Sequence, residues 1–282
     1  MYNARYVSES GKIFRFGYEY GNLFDIEDLT GLDVDVSYSQ GFGQIGETVE
    51  NQSVGSNRMK ISGKLLNPAP DVKRQMLSVF APMTGGRLYF NERYYIDCVV
   101  KKTPFITVGQ KSPEFLIELT APYPFWLSTK KSTFTLGDYT PAFSFPVNYA
   151  EPHAFGIKNP SAFANCVNNG MVPTNFKLEF RTQTTTQNPQ IIHVLSQRFL
   201  KLNTEIAQGE TYTVYREGNR LKVEKTANGV TTDAFSVLDE DSSLFDMEVG
   251  DNVIRAAADD GEDQLVTVIT FNEATVGVYE GL

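Results

Sequence analysis

Apolar and polar residues alternate with a period of two along most of the chain. Between Thr174 and Thr182, for example, Phe176, Leu178 and Phe180 are each followed by a charged residue. This spacing is typical of a β-strand that buries one of its faces. Similar runs predict strands at residues 12–16, 32–38, 59–65, 94–100, 114–120, 190–195, 211–216, 221–226, 264–271 and 275–279. The pattern therefore predicts a mainly β protein.

One segment, residues 67–80, departs from this alternation. Its apolar residues recur at helical spacing, with Asn67 as the expected N-cap, Pro70 in the first turn and Pro82 beyond the end. The apolar positions are Val72, Met76, Val79 and Phe80. The segment predicts one short amphipathic helix, which would cover an otherwise exposed face or edge of a sheet.

Two dipeptides mark tight turns in the second half of the chain. Gly218-Asn219 and Asn228-Gly229 both supply residues that tolerate positive φ, as two-residue hairpin turns require. They separate the runs of alternating residues at 211–216 and 221–226 and the segment that follows. Residues 211–237 are therefore predicted to form a three-stranded meander.

The chain is long enough for two domains, because 282 residues correspond to about two units of typical size. The alternation weakens between Leu127 and Pro146, where a polar stretch with Gly137 and Pro141 resembles a connection. We place the boundary near residue 138. The predicted domains are residues 1–137 and 138–282.

The net charge of −9 is unevenly distributed. Residues 1–135 carry 15 basic and 14 acidic side chains, whereas residues 136–282 carry 10 basic and 20 acidic ones. The two parts therefore stand at +1 and −10. Nucleic acids and anionic membranes attract clustered Lys and Arg, so neither is expected as a partner.

The two cysteines, Cys98 and Cys166, fall in different predicted domains. A disulfide framework is therefore not expected, and the pair fits a reducing compartment. With only two histidines, the chain also lacks the ligand spacing of a zinc site. We expect Cys98 to be buried in its strand and Cys166 to be a semi-exposed thiol. No apolar run of signal or membrane-spanning length occurs, which favours a soluble product made in a cytoplasm.

Two segments of the first domain carry a family resemblance. Residues 82–95 are typical of a strand, a tight turn and a strand that follow a helix, and residues 113–126 end in Pro124-Phe125-Trp126. In this order they resemble the siphophage tail component family, the distal tail proteins of long-tailed bacteriophages. The second half is similar to that family's second domain at residues 168–173 and 245–254.

The resemblance implies a fold and a place of action. It implies an N-terminal β-rich, ring-forming domain with one helix, followed by a galectin-like β-sandwich. The ring, usually of six copies, would join the major tail tube protein to the tail-associated hub protein, with receptor-binding or accessory baseplate proteins as further partners. The protein would then lie at the distal end of the virion tail after synthesis and assembly in the host cytoplasm, with no cofactor.

The segment Ser37–Asn57 is long and rich in Gly, Gln, Ser and Asn. It lies within a predicted hairpin from Leu32 to Leu65 with a polar tip. A head-to-tail ring needs one surface that fits a different surface of the neighbouring copy. The hairpin is a candidate for reaching that neighbour, and packing on its own subunit is the open alternative.

The residues do not favour an enzyme. His153 and His193 are accompanied by no Gly-x-Ser-x-Gly motif, so a Ser-His-Asp triad would need unmarked partners. The acidic stretch 239–263 offers a calcium candidate, formed by Asp259, Asp260, Glu262 and Asp263. It lacks the spacing of an EF-hand loop, and Asp260-Gly261 equally suits a solvated turn.

Carbohydrate binding is the alternative function, as an adsorption protein that recognises a host cell-wall saccharide. A sugar site needs an aromatic platform, for which Tyr212, Tyr215 and Tyr279 are the candidates. The sole tryptophan, Trp126, ends the first domain, where we expect it and Phe125 to be buried. The acidic excess of the second domain predicts that this domain faces outward in an assembly.

Overall fold

The structure is a computed structural model that describes residues 3–27, 29–137, 139–141, 156–158, 162–218 and 220–278. The chain divides into unit 1, residues 1–130 with 274–282, and unit 2, residues 131–273. The sequence placed the boundary at 137/138 and assigned all later residues to the second domain. In the structure the last residues of the chain belong to unit 1 instead.

The described part of unit 1 contains one helix, and most of its strands alternate between buried residues and more exposed ones. The elements are β1 (Ala4–Ser8), β2 (Ile13–Phe16), β3 (Asn22–Glu27), β4 (Val34–Ser39), β5 (Thr48–Val54), β6 (Asn57–Leu65), α1 (Pro70–Val79), β7 (Gly85–Phe90), β8 (Tyr94–Ile106), β9 (Glu114–Ala121) and β10 (Trp126–Leu136), with a 3-10 turn at Tyr18–Tyr20. Strand β10 contributes to both units: Leu127 and Ser128 pair with β8, and the strand then continues beside the last strand of unit 2.

Unit 2 consists of shorter strands. They are β11 (Tyr139–Pro141), β12 (Gly156–Lys158), β13 (Phe163–Asn165), β14 (Phe176–Thr182), β15 (Thr185–Gln187), β16 (Gln190–His193), β17 (Phe199–Lys201), β18 (Glu205–Ala207), β19 (Glu210–Glu217), β20 (Arg220–Ala227), β21 (Val230–Asp233), β22 (Val253–Ala257) and β23 (Leu265–Thr275), with 3-10 turns at Phe235–Val237 and Glu262–Gln264. The closing segment, predicted as strands at 264–271 and 275–279, is one strand that ends at Thr275.

The core of unit 1 forms between two antiparallel arrays. Strands β2, β1, β7 and β8 pair in that order, and β9 joins the end of β8 to β6 and β3. In β9, Phe115, Ile117 and Leu119 point into the core, as the alternation predicted. Trp126 is fully buried there against Phe90, with ring centroids 6.3 Å apart. The predicted burial of the tryptophan is confirmed.

Helix α1 closes one side of this core. Met76 and Val79 are buried, and Phe80, just beyond the helix, stacks on Tyr6 with 4.4 Å between ring centroids. The Gln75 side chain donates to the carbonyl of Ile13 in β2, 3.1 Å away, so the helix covers an edge strand as predicted.

The predicted cap of α1 is wrong. The N-cap is Ala69, which makes no side-chain cap hydrogen bond, and Pro70 is the first helical residue. Asn67 instead takes a left-handed conformation with φ of 44° in the preceding turn. The residue before a proline is driven to an extended conformation, so Ala69 and Pro70 together fix the start of the helix without a side-chain cap.

Two larger sheets of unit 2 share one core. Strands β23, β14, β19, β20 and β21 form the first, and β13, β22, β16 and β17 form the second, while β11 with β12 and β15 with β18 form two-stranded pairs. Leu178 and Ile269 from the first meet Ile191 and Ile254 from the second in one cluster of buried residues. The predicted meander is confirmed as β19, β20 and β21, with positive φ at Asn228 and Gly229 in the second turn. In the first turn, Asn219 lies outside the described residues.

Gly63 is predicted to be essential for the packing of unit 1. It lies in the middle of β6, between β3 and β9, where a Cβ atom would overlap the Leu23 carbonyl oxygen and the Phe115 ring. Gly63→Ala should lower the free energy of unfolding by about 1–3 kcal/mol because neither neighbour can move freely. Chemical denaturation followed by tryptophan fluorescence measures the change.

The matched control is Gly55→Ala, since a Cβ at Gly55 meets no atom within 4 Å. Its effect should stay within about 0.5 kcal/mol. Equal effects of the two substitutions would contradict the proposed packing at Gly63.

Candidate functional site

Strands β4 and β5 form a two-stranded ribbon, here named the arm and defined as residues 34–54. They pair from Val34 opposite Val54 to Ser39 opposite Thr48, with a β-bulge between Ser37 and Tyr38. Every residue of β5 is exposed. Most of the segment Ser37–Asn57, which the sequence analysis described as long and polar, therefore consists of β-strand.

One face of the arm is apolar and uncovered. Val34, Val36 and Tyr38 alternate along β4, and Val49 and Val54 lie opposite them on β5. The exposed fractions of Val34 and Tyr38 are 51% and 56%. A two-stranded hairpin is at best marginally stable alone in water, and exposed apolar faces mark interaction sites. The arm is therefore built to be covered by another molecule or surface.

The tip of the arm is ordered by one glutamine. The backbone N–H of Gln44 donates to the Gly41 carbonyl at 3.0 Å, and its side-chain oxygen accepts the Gly41 N–H at 2.9 Å. This turn leaves Phe42 and Ile45 fully exposed. The predicted polar tip is wrong in this respect, because two large apolar side chains alternate there with glycines and a glutamine.

A second exposed surface lies on the outer face of β1, β7 and β8. The guanidinium of Arg5 stacks 4.1 Å from the ring centre of Tyr89, and that of Arg87 stacks 4.1 Å from Tyr95. Carboxylates fix both guanidinium groups: Glu92 accepts from Arg5 at 2.6 and 2.7 Å, and Asp97 accepts from Arg87 at 2.6 and 3.1 Å. The hydrogen bond from Arg5 also lowers the pKa of Glu92.

These stacked pairs hold Arg and Tyr, two residue types enriched at protein interfaces, in fixed positions. Beside them, Gly85 and Gly86 form the floor of an open groove of about 500 Å³. The sequence analysis did not single out this surface. The signal was present in the alternation of β7 and β8, whose outward positions include Arg87, Tyr89 and Tyr95.

Both cysteines are buried. Cys98 lies in the core of unit 1, as predicted. The prediction of a semi-exposed thiol at Cys166 is wrong, because its side chain is fully buried in unit 2. Its backbone is held on both sides by Asn252, whose carbonyl accepts the Cys166 N–H at 2.7 Å. Burial raises the pKa of each thiol to about 12.

His193 lies at the end of β16 with a buried ring. Its Nδ1 is 2.8 Å from the hydroxyl of Ser196 and accepts the Ser196 backbone N–H at 3.2 Å. Its Nε2 has no hydrogen-bond partner among the described residues. No carboxylate therefore orients the ring as a triad would require. His153 lies outside the described residues.

The four calcium candidates point to separate partners. Asp259 binds the Lys201 ammonium at 3.0 Å and the Asn188 amide at 2.9 Å, and these contacts lower its pKa. Asp260 accepts the Gly261 N–H in a turn, Glu262 lies 3.8 Å from Arg255, and Asp263 accepts from Gln264. Within the described ranges, no group of three or more acidic, His or Cys residues could hold a metal ion.

The tyrosine candidates for a sugar platform are differently placed. Tyr212 is buried, with the Lys225 ammonium 5.4 Å from its ring centre. Tyr215 is half-buried, and its hydroxyl donates to Glu224 at 2.9 Å. Tyr279 lies outside the described residues. No pair of these rings is brought together in the described part of the chain.

Comparison with known proteins identifies the second half of the chain. Residues 169–274 match the family described as Siphovirus-type tail component, C-terminal domain. These residues are similar to the C-terminal domain of siphophage tail components. The resemblance to distal tail proteins that the sequence predicted is thereby confirmed. No curated protein matches this chain.

Solved structures show the same fold over almost the whole chain. The crystal structure of SPP1 Dit, described as a paradigm of the hub adsorption apparatus in phages that infect Gram-positive hosts, has a TM-score of 0.68 at 11% identity. Two structures of the phage P2 baseplate in its activated conformation are also similar. The structure with Ca has a TM-score of 0.56 at 10% identity, and the structure with Sr has a TM-score of 0.55 at 11% identity. Each match covers 96% of this chain and 98% of the other. Among the described helices of the chain, none is long and apolar enough to cross a membrane.

The buried thiols give a testable prediction. With pKa values of about 12, only about one thiol in ten thousand is ionised at pH 8, and the thiolate is the reactive form. The native protein should therefore show no rapid labelling by a thiol-specific disulfide reagent, and two labels per chain in guanidinium chloride. Leu195→Cys, at an exposed position, is the positive control and should add one rapid label. Rapid labelling of the native wild-type protein would contradict the burial.

Proposed function

We propose that this protein is a structural, non-enzymatic component of the virion that forms a ring at the distal end of the tail tube. The observation that carries the proposal is the arm, an ordered ribbon with an apolar face that its own unit leaves exposed. In a ring of identical copies, usually six in this family, each arm would be covered by the next copy. Such contacts are head-to-tail and close the ring when the rotation is right.

The ring would join the major tail tube protein to the tail-associated hub protein. The fixed Arg and Tyr side chains on the outer face of β1, β7 and β8 are suited to one of these contacts. The likeness to SPP1 Dit and to the P2 baseplate supports a role in a host-adsorption apparatus. Receptor-binding or accessory baseplate proteins are further partners in this proposal.

The second domain, residues 138–282 in the sequence-based division, is proposed as a galectin-like β-sandwich that faces outward. Its two sheets around one core suit a sandwich, and its charge of −10 suits a solvated projection that does not adhere to its neighbours. The protein would be made and assembled in the host cytoplasm and then reside in the virion.

Saccharide binding gains no specific support from the candidate tyrosines. A stacking platform must present a ring face to solvent, whereas Tyr212 is buried and Tyr215 is tied to Glu224. Fold likeness alone does not establish a sugar site.

The ring proposal is tested by electron microscopy of the purified protein, with its tail tube and hub partners present. We expect rings of uniform copy number, and at least tenfold weaker self-association for the arm-tip variant Phe42→Asp/Ile45→Asp. Each Asp removes an apolar side chain from the contact and must lose its own water shell on docking. Analytical ultracentrifugation measures the change.

The matched control is Leu195→Asp, which introduces the same charge at an exposed apolar position of unit 2. It should assemble as the wild type does. A wild-type protein that stays monomeric at high concentration, and forms no ring with its partners, would refute the proposed function.

A further inference from the structure

The arm and the segments that connect it carry charges of one sign only. Residues 33–57 contain Asp33, Asp35, Glu47 and Glu50, and no Lys, Arg or His. All four side chains are exposed. In the part of the chain that the structure describes, none of them forms an ion pair. The arm is therefore an acidic ribbon with an apolar face.

Positive charge without an ion pair also lies on a different surface of unit 1. Helix α1 presents Lys73 and Arg74, and the turn before β2 presents Lys12. Lys12 donates to the Ser78 hydroxyl at 2.7 Å, which places this turn beside the helix. Arg15 instead shares the outer face of the sheet with Arg5, because the two residues lie opposite each other in β1 and β2. Among ion pairs between described residues, none involves Lys12, Lys73 or Arg74.

Only part of the positive charge elsewhere in unit 1 is compensated. Arg5 pairs with Glu92, Arg87 with Asp97, and Lys60 with Glu27. Lys101 and Lys102 share Glu118. Between described residues, no ion pair involves five further cations, which are Arg58, Lys64, Arg93, Lys111 and Lys130. The cations at α1 are distinguished by their position, because two neighbouring elements supply them beside exposed apolar side chains.

The same surface also carries exposed apolar side chains. Leu77 on α1 is 50% exposed and Ile13 on β2 is 37% exposed. Arg74 and Leu77 are three residues apart, so they share the outer side of the helix, away from buried Met76. We name Lys12, Ile13, Lys73, Arg74 and Leu77 the helix surface. It offers the arm both opposite charge and apolar contact.

We propose that the arm of one copy docks on the helix surface of a second copy. The acidic side chains of the arm face the three cations Lys12, Lys73 and Arg74, and Phe42 and Ile45 at its tip contact the exposed apolar side chains. Among the described strands, the two strands of the arm pair only with each other. Every copy carries both surfaces and their charges are opposite, so a second copy suits the arm as its partner. The inference rests on the proposed ring and names the surface that each arm meets.

Charge complementarity would set the register and the partner of this contact. Opposite charges across an interface raise association rates and penalise wrong neighbours. Exposed pairs are individually weak and are screened by salt, so their effect depends on several acting together. Self-association should therefore weaken at least tenfold between 50 mM and 500 mM NaCl, with the apolar contacts remaining.

Charge reversal tests the pairing directly. The arm variant is Asp35→Lys/Glu47→Lys/Glu50→Lys, and the helix variant is Lys12→Glu/Lys73→Glu/Arg74→Glu. Each alone places like charges at every contact, so each should associate at least tenfold more weakly than the wild type under the conditions of the ring experiment. The matched control reverses three exposed cations of unit 2, Arg181→Glu/Arg198→Glu/Arg220→Glu, and should associate as the wild type does.

An equal mixture of the two variants gives the decisive measurement. Every arm in an alternating assembly then meets a helix surface of opposite charge, so association should return to within about threefold of the wild type. A single chain with all six reversals should be restored in the same way. Thermal unfolding of each variant checks that the chains are folded.

The outcomes separate this inference from the ring itself. If both reversed variants assemble normally while the Phe42→Asp/Ile45→Asp variant does not, the helix surface is not the docking site and the ring proposal stands. Loss in each variant without recovery in the mixture or in the sixfold variant also overturns the inference. Failure of the wild type to assemble overturns the ring proposal and this inference with it.

Discussion

A β-ribbon with one apolar face is stable in water only when another layer buries that face. The architecture of both units follows from this requirement. In unit 1 the apolar faces of two strand arrays meet each other and α1, and in unit 2 two sheets share one core. At about 25 cal/mol per Å² of buried apolar area, these layers supply the main stabilising free energy. The arm is the ribbon for which the chain provides no covering layer. Its stability is thereby linked to assembly, as for any segment that is stabilised only by a partner.

Charged side chains also fall into two groups, those paired within unit 1 and those on the surfaces proposed to contact another copy. Unit 1 neutralises some of its cations locally, through pairs such as Arg5 with Glu92, and these pairs also hold the stacked guanidinium groups in place. Between described residues, no ion pair involves the acidic side chains of the arm or the cations on and beside α1. The nearly neutral net charge of residues 1–135 therefore does not reveal that this part of the chain carries two surfaces of opposite charge.

Much of the fold could be predicted from the sequence because it depends on local periodicity. The strands around Phe176 and Phe115, the helix before Pro82 and the meander with Asn228-Gly229 all follow from side-chain spacing and turn chemistry. The burial of Cys166 could not be predicted in this way, because it depends on Asn252, a residue distant in sequence. The exposed tip was missed for a related reason: Phe42 and Ile45 have apolar side chains but no neighbours, and only the fold decides which apolar residues stay uncovered.

The return of the chain's end to unit 1 has a consequence for biosynthesis. Val278 is buried in the core of unit 1, and its N–H donates to the Leu29 carbonyl at 3.1 Å. Unit 2 lies between these two residues in sequence, so the ribosome must translate all of it before the core of unit 1 can close. A chain interrupted within unit 2 would lack Val278, would expose part of that core and would be open to proteolysis. Unit 1 can therefore present a complete surface to its neighbours only after synthesis has passed residue 278.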